Sequence, residues 1–240
     1  MVNDSKRKIL IVENEANISS IISTRFLYLG YDVSLSTNGA EALIIFNQEC
    51  PDLVIIDILL PKIDGYEVCR RIRKKSRIPI IILTALNKIS NRIMGLKMGA
   101  DDYMTKPFSL TELELRVISK LRRPGSQKFK VISNRQETFQ FGNLVVNTAN
   151  KQILKNNNQL TLTSIEFSLL ELLIQNSGRE LSRAEILNNI WGYTPARFVD
   201  TRLVDVHIYR LRLKIEDTPS TPDFILTARG TGYIFQPFNL

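Results

Sequence analysis

The 240-residue chain holds a single histidine and only two cysteines. Cys50 and Cys69 lack the spacing of a metal knuckle or a redox pair, so reduced, partly buried thiols are expected. His207, alone of its kind, reads as structural rather than as a ligand. No apolar run approaches the ~20 residues that cross a bilayer, so no membrane partner is expected. The opening MVNDSKRKILIVENEA passes from a charged lead straight into four apolar residues without a signal-peptide core, and Asp4 argues against a transit peptide. The protein is expected to work in the compartment where it is made. Internal repeats and long low-complexity tracts are missing. So is charge asymmetry: the net +8 divides into +5 over residues 1–124 and +3 over 125–240. Bulk charge therefore singles out neither half as a nucleic-acid binder, and any such case must rest on local clustering.

The length suffices for two domains, and a hydrophobic content of 44% suffices for a core in each. In the first half, apolar runs and helical patterns alternate. Strands are expected at Ile9–Val12, Asp32–Leu35, Leu53–Ile56, Ile78–Leu83 and Asp102–Met104. Between them, a helix patterned by Ile18, Ile21, Ile22, Phe26 and Leu29 stops at Gly30. Further helices are expected near Gly39–Glu49, Tyr66–Lys75, Ser90–Lys97 and Thr111–Leu121. Five β-α units of this length specify a doubly wound α/β fold, a parallel sheet with helices on both faces. Ligands of such sheets sit at the carboxyl ends of the strands, where the strand order switches.

The expected strand ends carry a coherent set of groups. The first strand runs into Glu13-Asn14-Glu15, the third into Asp57, the fourth into Thr84 and the fifth into Lys106-Pro107. A carboxylate such as Asp57, at the end of a strand buried on both faces, is costly unless solvated, paired or bound to a cation. Acids, a hydroxyl and a lysine on one rim suit a phosphoryl group and a hard cation. Carboxylates hold Mg²⁺, Asp57 can act as a nucleophile, and Thr84 and Lys106 can bind phosphoryl oxygens.

The stretches KILIVENEA, PDLVIIDILLPKIDGYEVCRRIR, PIIILTA and GADDYMTKPF resemble the receiver domain of a two-component response regulator, with its flavodoxin-like, five-stranded sheet. That resemblance implies that Asp57 accepts a phosphoryl group from a phosphohistidine on a sensor histidine kinase. It makes Thr84 and Lys106 the phosphoryl-binding pair, and Tyr103 the aromatic side chain that turns inward on activation. Glu13, Asn14, Asp57 and the backbone carbonyl of Leu59 would form the Mg²⁺ site, and Lys106-Pro107 would be cis. Activated receivers of this family form homodimers through ion pairs. The matching residues are Arg92 with Glu112 and Asp102 with Arg116. No catalytic residues in the sense of an enzyme are implied.

One departure stands out. The family usually has two aspartates after its first strand, and this chain has Glu13-Asn14. An amide brings no charge, and one charge pair at ~4 Å and an effective dielectric of ~20 is worth up to roughly 4 kcal/mol. Weakened Mg²⁺ binding is expected. The departure also leaves an alternative in which the receiver is only a dimerisation module and regulation is independent of phosphorylation. An aspartyl-phosphate hydrolase of the haloacid dehalogenase kind needs an acid two residues after its nucleophile, where this chain has Leu59.

Pro124-Gly125-Ser126 opens a polar stretch, and the boundaries expected are 1–123 for the first domain, 124–137 for a linker and 138–240 for the second domain. The second half opens with strand-like pieces around the polar turn KNNNQ (155–159). Capping boxes are expected at Thr163 with Glu166 and at Ser182 with Glu185, each starting a helix. A third helix is expected from Val199 to Ile215, then a hairpin in FILTARGTGYIF. Three helices and a hairpin are the order of a winged helix-turn-helix. On the third helix Val204, Ile208, Leu211 and Ile215 fall on one core-facing sector. The opposite sector carries Arg202, Val206, Tyr209, Arg210 and Leu213, with Arg212 on its flank. These suit a major groove, and Arg229 at the hairpin tip suits a phosphate backbone or minor groove.

LTSIEFSLLELL, VDVHIYRLRLKI and RGTGYIF resemble the OmpR/PhoB class of effector domain, above all the cyanobacterial and red-algal plastid members. The resemblance implies DNA bound at direct repeats, RNA polymerase met through the loop GYTPARFVD (192–200), and a bacterial cytoplasm or an algal plastid stroma as location.

Overall fold

The apolar runs of the first half contain few polar residues, as strands covered on both faces should. In the computed structural model, which describes residues 6–121, 138–192 and 201–236, they build one parallel sheet. The elements alternate in sequence: β1 (Lys8–Val12), α1 (Ala16–Tyr28), β2 (Asp32–Ser36), α2 (Gly39–Glu49), β3 (Leu53–Ile56), α3 (Gly65–Lys75), β4 (Ile80–Thr84), α4 (Ile89–Lys97), β5 (Asp102–Thr105) and α5 (Leu110–Leu121). The sheet order is β2-β1-β3-β4-β5. The chain runs outward from β1 to β2 and then crosses back to β3, so the order switches between β1 and β3. Register aligns Val12 with Ile56, and Thr84 with Thr105, which gathers the strand ends on one rim.

Two details depart from expectation. Ile21 is 55% exposed rather than part of the α1 stripe. Ile18, Ile22, Phe26 and Leu29 already cover the sheet, and Ile21 falls one step off that line. Strand β4 begins at Ile80, not Ile78, because Pro79 has no N–H for the ladder and Arg73 takes the Ile78 carbonyl at 2.9 Å.

The chain divides into two compact units, Met1–Arg122 and Arg123–Leu240. All of the expected linker, 124–137, and all but Gly192 of the expected polymerase loop lie outside the described residues. The second unit opens with an antiparallel meander of β6 (Thr138–Phe141), β7 (Leu144–Asn147), β8 (Gln152–Lys155) and β9 (Asn158–Leu160). Asn156 and Asn157, at φ 51° and 63°, form the tight turn between β8 and β9. Then come α6 (Ser164–Gln175), β10 (Glu180–Ser182), α7 (Arg183–Trp191), α8 (Arg202–Ile215), β11 (Ile225–Ala228) and β12 (Gly232–Phe235). Strands β10, β12 and β11 form a second antiparallel sheet, completing a winged helix-turn-helix.

The capping box at Thr163 and Glu166 is complete. At α7 only half of the expected box forms. Ser182 accepts from the Glu185 N–H, but the Glu185 carboxylate pairs with Arg179 at 2.7 Å. An exposed guanidinium is a stronger partner for a carboxylate than a neutral backbone amide. The thiols also differ from expectation: Cys50 is exposed, whereas Cys69 is buried in the core, which pushes its pKa up to about 12.

Candidate phosphoryl-acceptor site and nucleic-acid interface

Asp57 follows β3 at the point where strand order switches, and only 3% of it is exposed. Its Oδ1 accepts from the Leu59 N–H at 3.0 Å, which holds the carboxylate against the loop. Gly65 permits this loop path. A Cβ there would lie 2.2 Å from the Asp57 backbone oxygen. Lys106 reaches across from the end of β5, and its Nζ lies 2.7 Å from Asp57 Oδ2 and 2.8 Å from Glu13 Oε2. The Lys106-Pro107 bond is cis. Thr84 is fully buried at the end of β4, and its Oγ1 has no hydrogen-bond partner among the described residues. Buried hydroxyls are seldom left unpaired, and such an orphan marks a place for a ligand atom.

After β1 the chain carries Glu13, Asn14 and Glu15 in succession. Asn14 is exposed, as is Glu15. The Glu15 carboxylate reaches the rim, its Oε1 2.8 Å from Lys106 Nζ. Oxygens of Glu13, Glu15 and Asp57 lie within 4.8 Å of one another. Burial raises the Glu13 pKa, against the lowering effect of Lys106. Burial would lower the Lys106 pKa, but its bonds to Asp57, Glu13 and Glu15 outweigh that and raise it. Three carboxylates against one ammonium leave two negative charges uncompensated, and all donors are hard oxygens. That set fits Mg²⁺. The Leu59 side chain is half exposed, and its N–H is the group that touches Asp57.

Tyr103 is partly buried, its hydroxyl donating to the Leu86 carbonyl at 2.5 Å. The Arg92 guanidinium stands 6.0 Å from the ring centre. Asp102 and Arg116, expected to pair between protomers, are joined within the single chain at 2.8 Å. Lys120 lies 3.7 Å from the same carboxylate, and Arg116 also holds Glu112. Asp102 is only 1% exposed, and a carboxylate so buried demands a counter-charge from its own chain.

In the second unit, Val204, Ile208, Leu211 and Ile215 of α8 are all fully buried. On the other side Tyr209 and Leu213 are about half exposed, Arg202 is exposed and Val206 is half-buried. Arg229 is exposed in the turn between β11 and β12. His207 is buried against Trp191, with ring centres 5.1 Å apart.

Two arginines expected on the groove face are turned elsewhere. Arg210 lies 3.4 Å from the Glu166 carboxylate, which Lys214 also meets at 2.5 Å. Glu166 is fully buried and draws both cations. Arg212 donates to the Ile225 carbonyl and the Thr227 hydroxyl and lies over the Tyr233 ring.

A further cluster escaped the sequence reading. Asp205 accepts from Arg183 and from the Tyr233 hydroxyl, each at 2.7 Å, and Arg183 lies over the same ring. Its members stand 22 and 28 positions from Asp205, so no local pattern announces them.

Residues 9–118 match the response regulator receiver domain, and residues 157–235 match the C-terminal domain of transcriptional regulatory proteins. The chain is 53% identical over 235 residues to a probable transcriptional regulator, ycf27, of Porphyra purpurea, covering 98% of this chain and 97% of that one. To the ycf27 protein of Guillardia theta it is 54% identical over 233 residues, covering 97% and 92%. Among solved structures, the response regulator DrrB of Thermotoga maritima, an OmpR/PhoB homologue, is 31% identical with a TM-score of 0.50, covering 96% of this chain and 99% of that one.

Proposed function

The chain belongs to the response regulators of the OmpR/PhoB type, two-component DNA-binding transcription regulators, and from that premise we propose which of its residues do the work. Members of this class bind DNA, are phosphorylated by histidine kinases and dimerise. Asp57 is the phosphoryl acceptor. The observation that carries this is the placement of its carboxylate at the strand-order switch, 2.7 Å from Lys106, beside the orphaned hydroxyl of Thr84 at the next strand end.

One Asp57 oxygen attacks phosphorus while the P–N bond of the donor phosphohistidine breaks and the imidazole leaves. Lys106 offers its ammonium to the new phosphoryl oxygens, and Thr84 offers its hydroxyl. Mg²⁺ bound by the acid cluster would supply charge against the same oxygens. Once Thr84 turns to the phosphoryl group, the space around it changes. Tyr103 then leaves the Leu86 carbonyl and swings inward. That movement remodels the face of α4, β5 and α5 that carries Arg92, Asp102, Glu112 and Arg116, and a second receiver pairs there.

Residues 1–123 form the receiver and 138–240 the effector, with 124–137 as the linker between them. Arg202, Val206 and Tyr209 of α8 enter the major groove, and Arg229 of the wing meets the backbone or minor groove. The loop at 192–200 is the contact for RNA polymerase. Two effector domains engage direct repeats, since one winged helix buries little DNA. The ycf27 relatives support a plastid location. No described helix is long and apolar enough to cross a membrane.

Incubation with acetyl phosphate and Mg²⁺ tests the central step. The protein gains the mass of one phosphoryl group, and Asp57→Asn abolishes the gain. An equal gain in that variant places the acceptor elsewhere.

A further inference from the structure

We infer that Glu15 replaces the missing aspartate at position 14 as the third carboxylate of the cation site. This rests on the Mg²⁺ reading of the Asp57 rim. The residue type at position 14 alone points to a weakened site. The geometry points the other way. The residues on either side of Asn14 reach the rim, where carboxylate oxygens of Glu13, Glu15 and Asp57 lie within 4.8 Å of one another. The Glu13 carboxylate is fixed on both of its oxygens, Oε1 by the Glu15 N–H at 3.1 Å and Oε2 by Lys106.

Glu15 occupies the N-cap position of α1, where a short polar side chain would bond its own helix. Its side chain makes no such cap. It extends instead to Lys106 Nζ at 2.8 Å, across 91 positions of sequence, although 57% of it remains exposed. Its length is what allows this. The cluster thereby keeps three negative carboxylates. Hard divalent cations are held by such charge-dense oxygen sets.

The test measures Mn²⁺ binding to the full-length, unphosphorylated protein by electron paramagnetic resonance, with Mg²⁺ as competitor. Glu15→Gln keeps shape and length while removing the charge, and is expected to weaken binding about tenfold or more. Asn14→Asp in the Glu15→Gln background should restore it, which separates lost ligand charge from damage to the helix start. Parent-like Mn²⁺ binding by Glu15→Gln overturns the assignment and leaves the Mg²⁺ reading intact. Failure of Asn14→Asp to rescue also overturns it. If the parent protein binds no Mn²⁺, both fall together, whereas the acetyl phosphate experiment on Asp57 separately judges the acceptor.

Discussion

The hydroxyl of Tyr233 on β12 donates to the carboxylate of Asp205 on α8 at 2.7 Å, joining the wing to the helix expected to enter DNA. Arg183 and Arg212 lie over the same ring, 5.0 and 5.6 Å from its centre. Burial is the main cause that pushes the Tyr233 pKa up to about 12, so the hydroxyl stays a donor through the physiological range. Tyr233→Phe should lose about 1 kcal/mol of stability and weaken DNA binding by more than that loss explains. Urea unfolding and fluorescence anisotropy on operator DNA measure the two effects. Wild-type affinity in the variant would detach the wing from recognition.

The buried Glu166 makes the second unit acid-sensitive. Burial alone would raise its pKa, but the charges of Arg210 and Lys214 outweigh it, and the carboxyl is held below its ordinary value. Its contribution is therefore full above the unfolded value of about 4.3 and is lost as pH falls through the lower folded value. Glu166→Gln should cost roughly 3 kcal/mol at pH 7 by leaving two cations without their partner. The gap between variant and parent should narrow as pH falls below the unfolded value. Denaturation followed through Trp191, the chain's one tryptophan, reads this unit directly. A gap independent of pH would remove Glu166 as its cause.

Gly65 and Asp57 are packed too tightly to admit a side chain between them. A Cβ at position 65 would stand 2.2 Å from the Asp57 backbone oxygen and 2.7 Å from Ile58 Cα, and backbone cannot yield as a side-chain tip can. Gly65→Ala should destabilise the receiver by about 1–3 kcal/mol and slow labelling by acetyl phosphate. Normal labelling of a folded Gly65→Ala receiver would show that the Asp57 loop tolerates displacement.

The two sides of α8 should respond differently to truncation. Arg202→Ala and Tyr209→Ala should weaken operator binding with little loss of stability, because both side chains are exposed. Arg210→Ala should lower stability first, since its partner Glu166 is buried. A residue that touches only phosphate should weaken all sequences alike and reduce the salt slope by about 1. Stability changes of equal size in all three variants would contradict this division of the helix.

Direct-repeat binding has its own test. Half-sites about one turn apart, roughly 10–11 base pairs, present both recognition helices with the same face. An insertion of about five base pairs should reduce binding to the single-site level. Undiminished affinity for the spaced operator would reject tandem engagement.

Much of this molecule is legible in short stretches of sequence. Strand β3 and helix α2 begin and end where their apolar runs and turn residues place them, and the core face of α8 follows from periodicity alone. The rim of Asp57, Thr84 and Lys106 could be named as well. In a parallel sheet each strand's carboxyl end is a fixed place, so residue order translates directly into position. Side-chain direction beyond the strand ends could not be read this way. Glu15 stands at the N-cap of α1, and its carboxylate meets Lys106 across 91 positions of sequence, a partner no local pattern names. Arg210 and Arg212 share a helix with the exposed Tyr209. Each leaves the groove face because a buried carboxylate or an unpaired strand carbonyl lies within reach, and those partners come from α6 and β11. Local sequence determines which elements form and which residues begin and end them. Only tertiary structure decides which partner a long charged side chain finds, because desolvation makes that choice and burial is a property of the assembled fold.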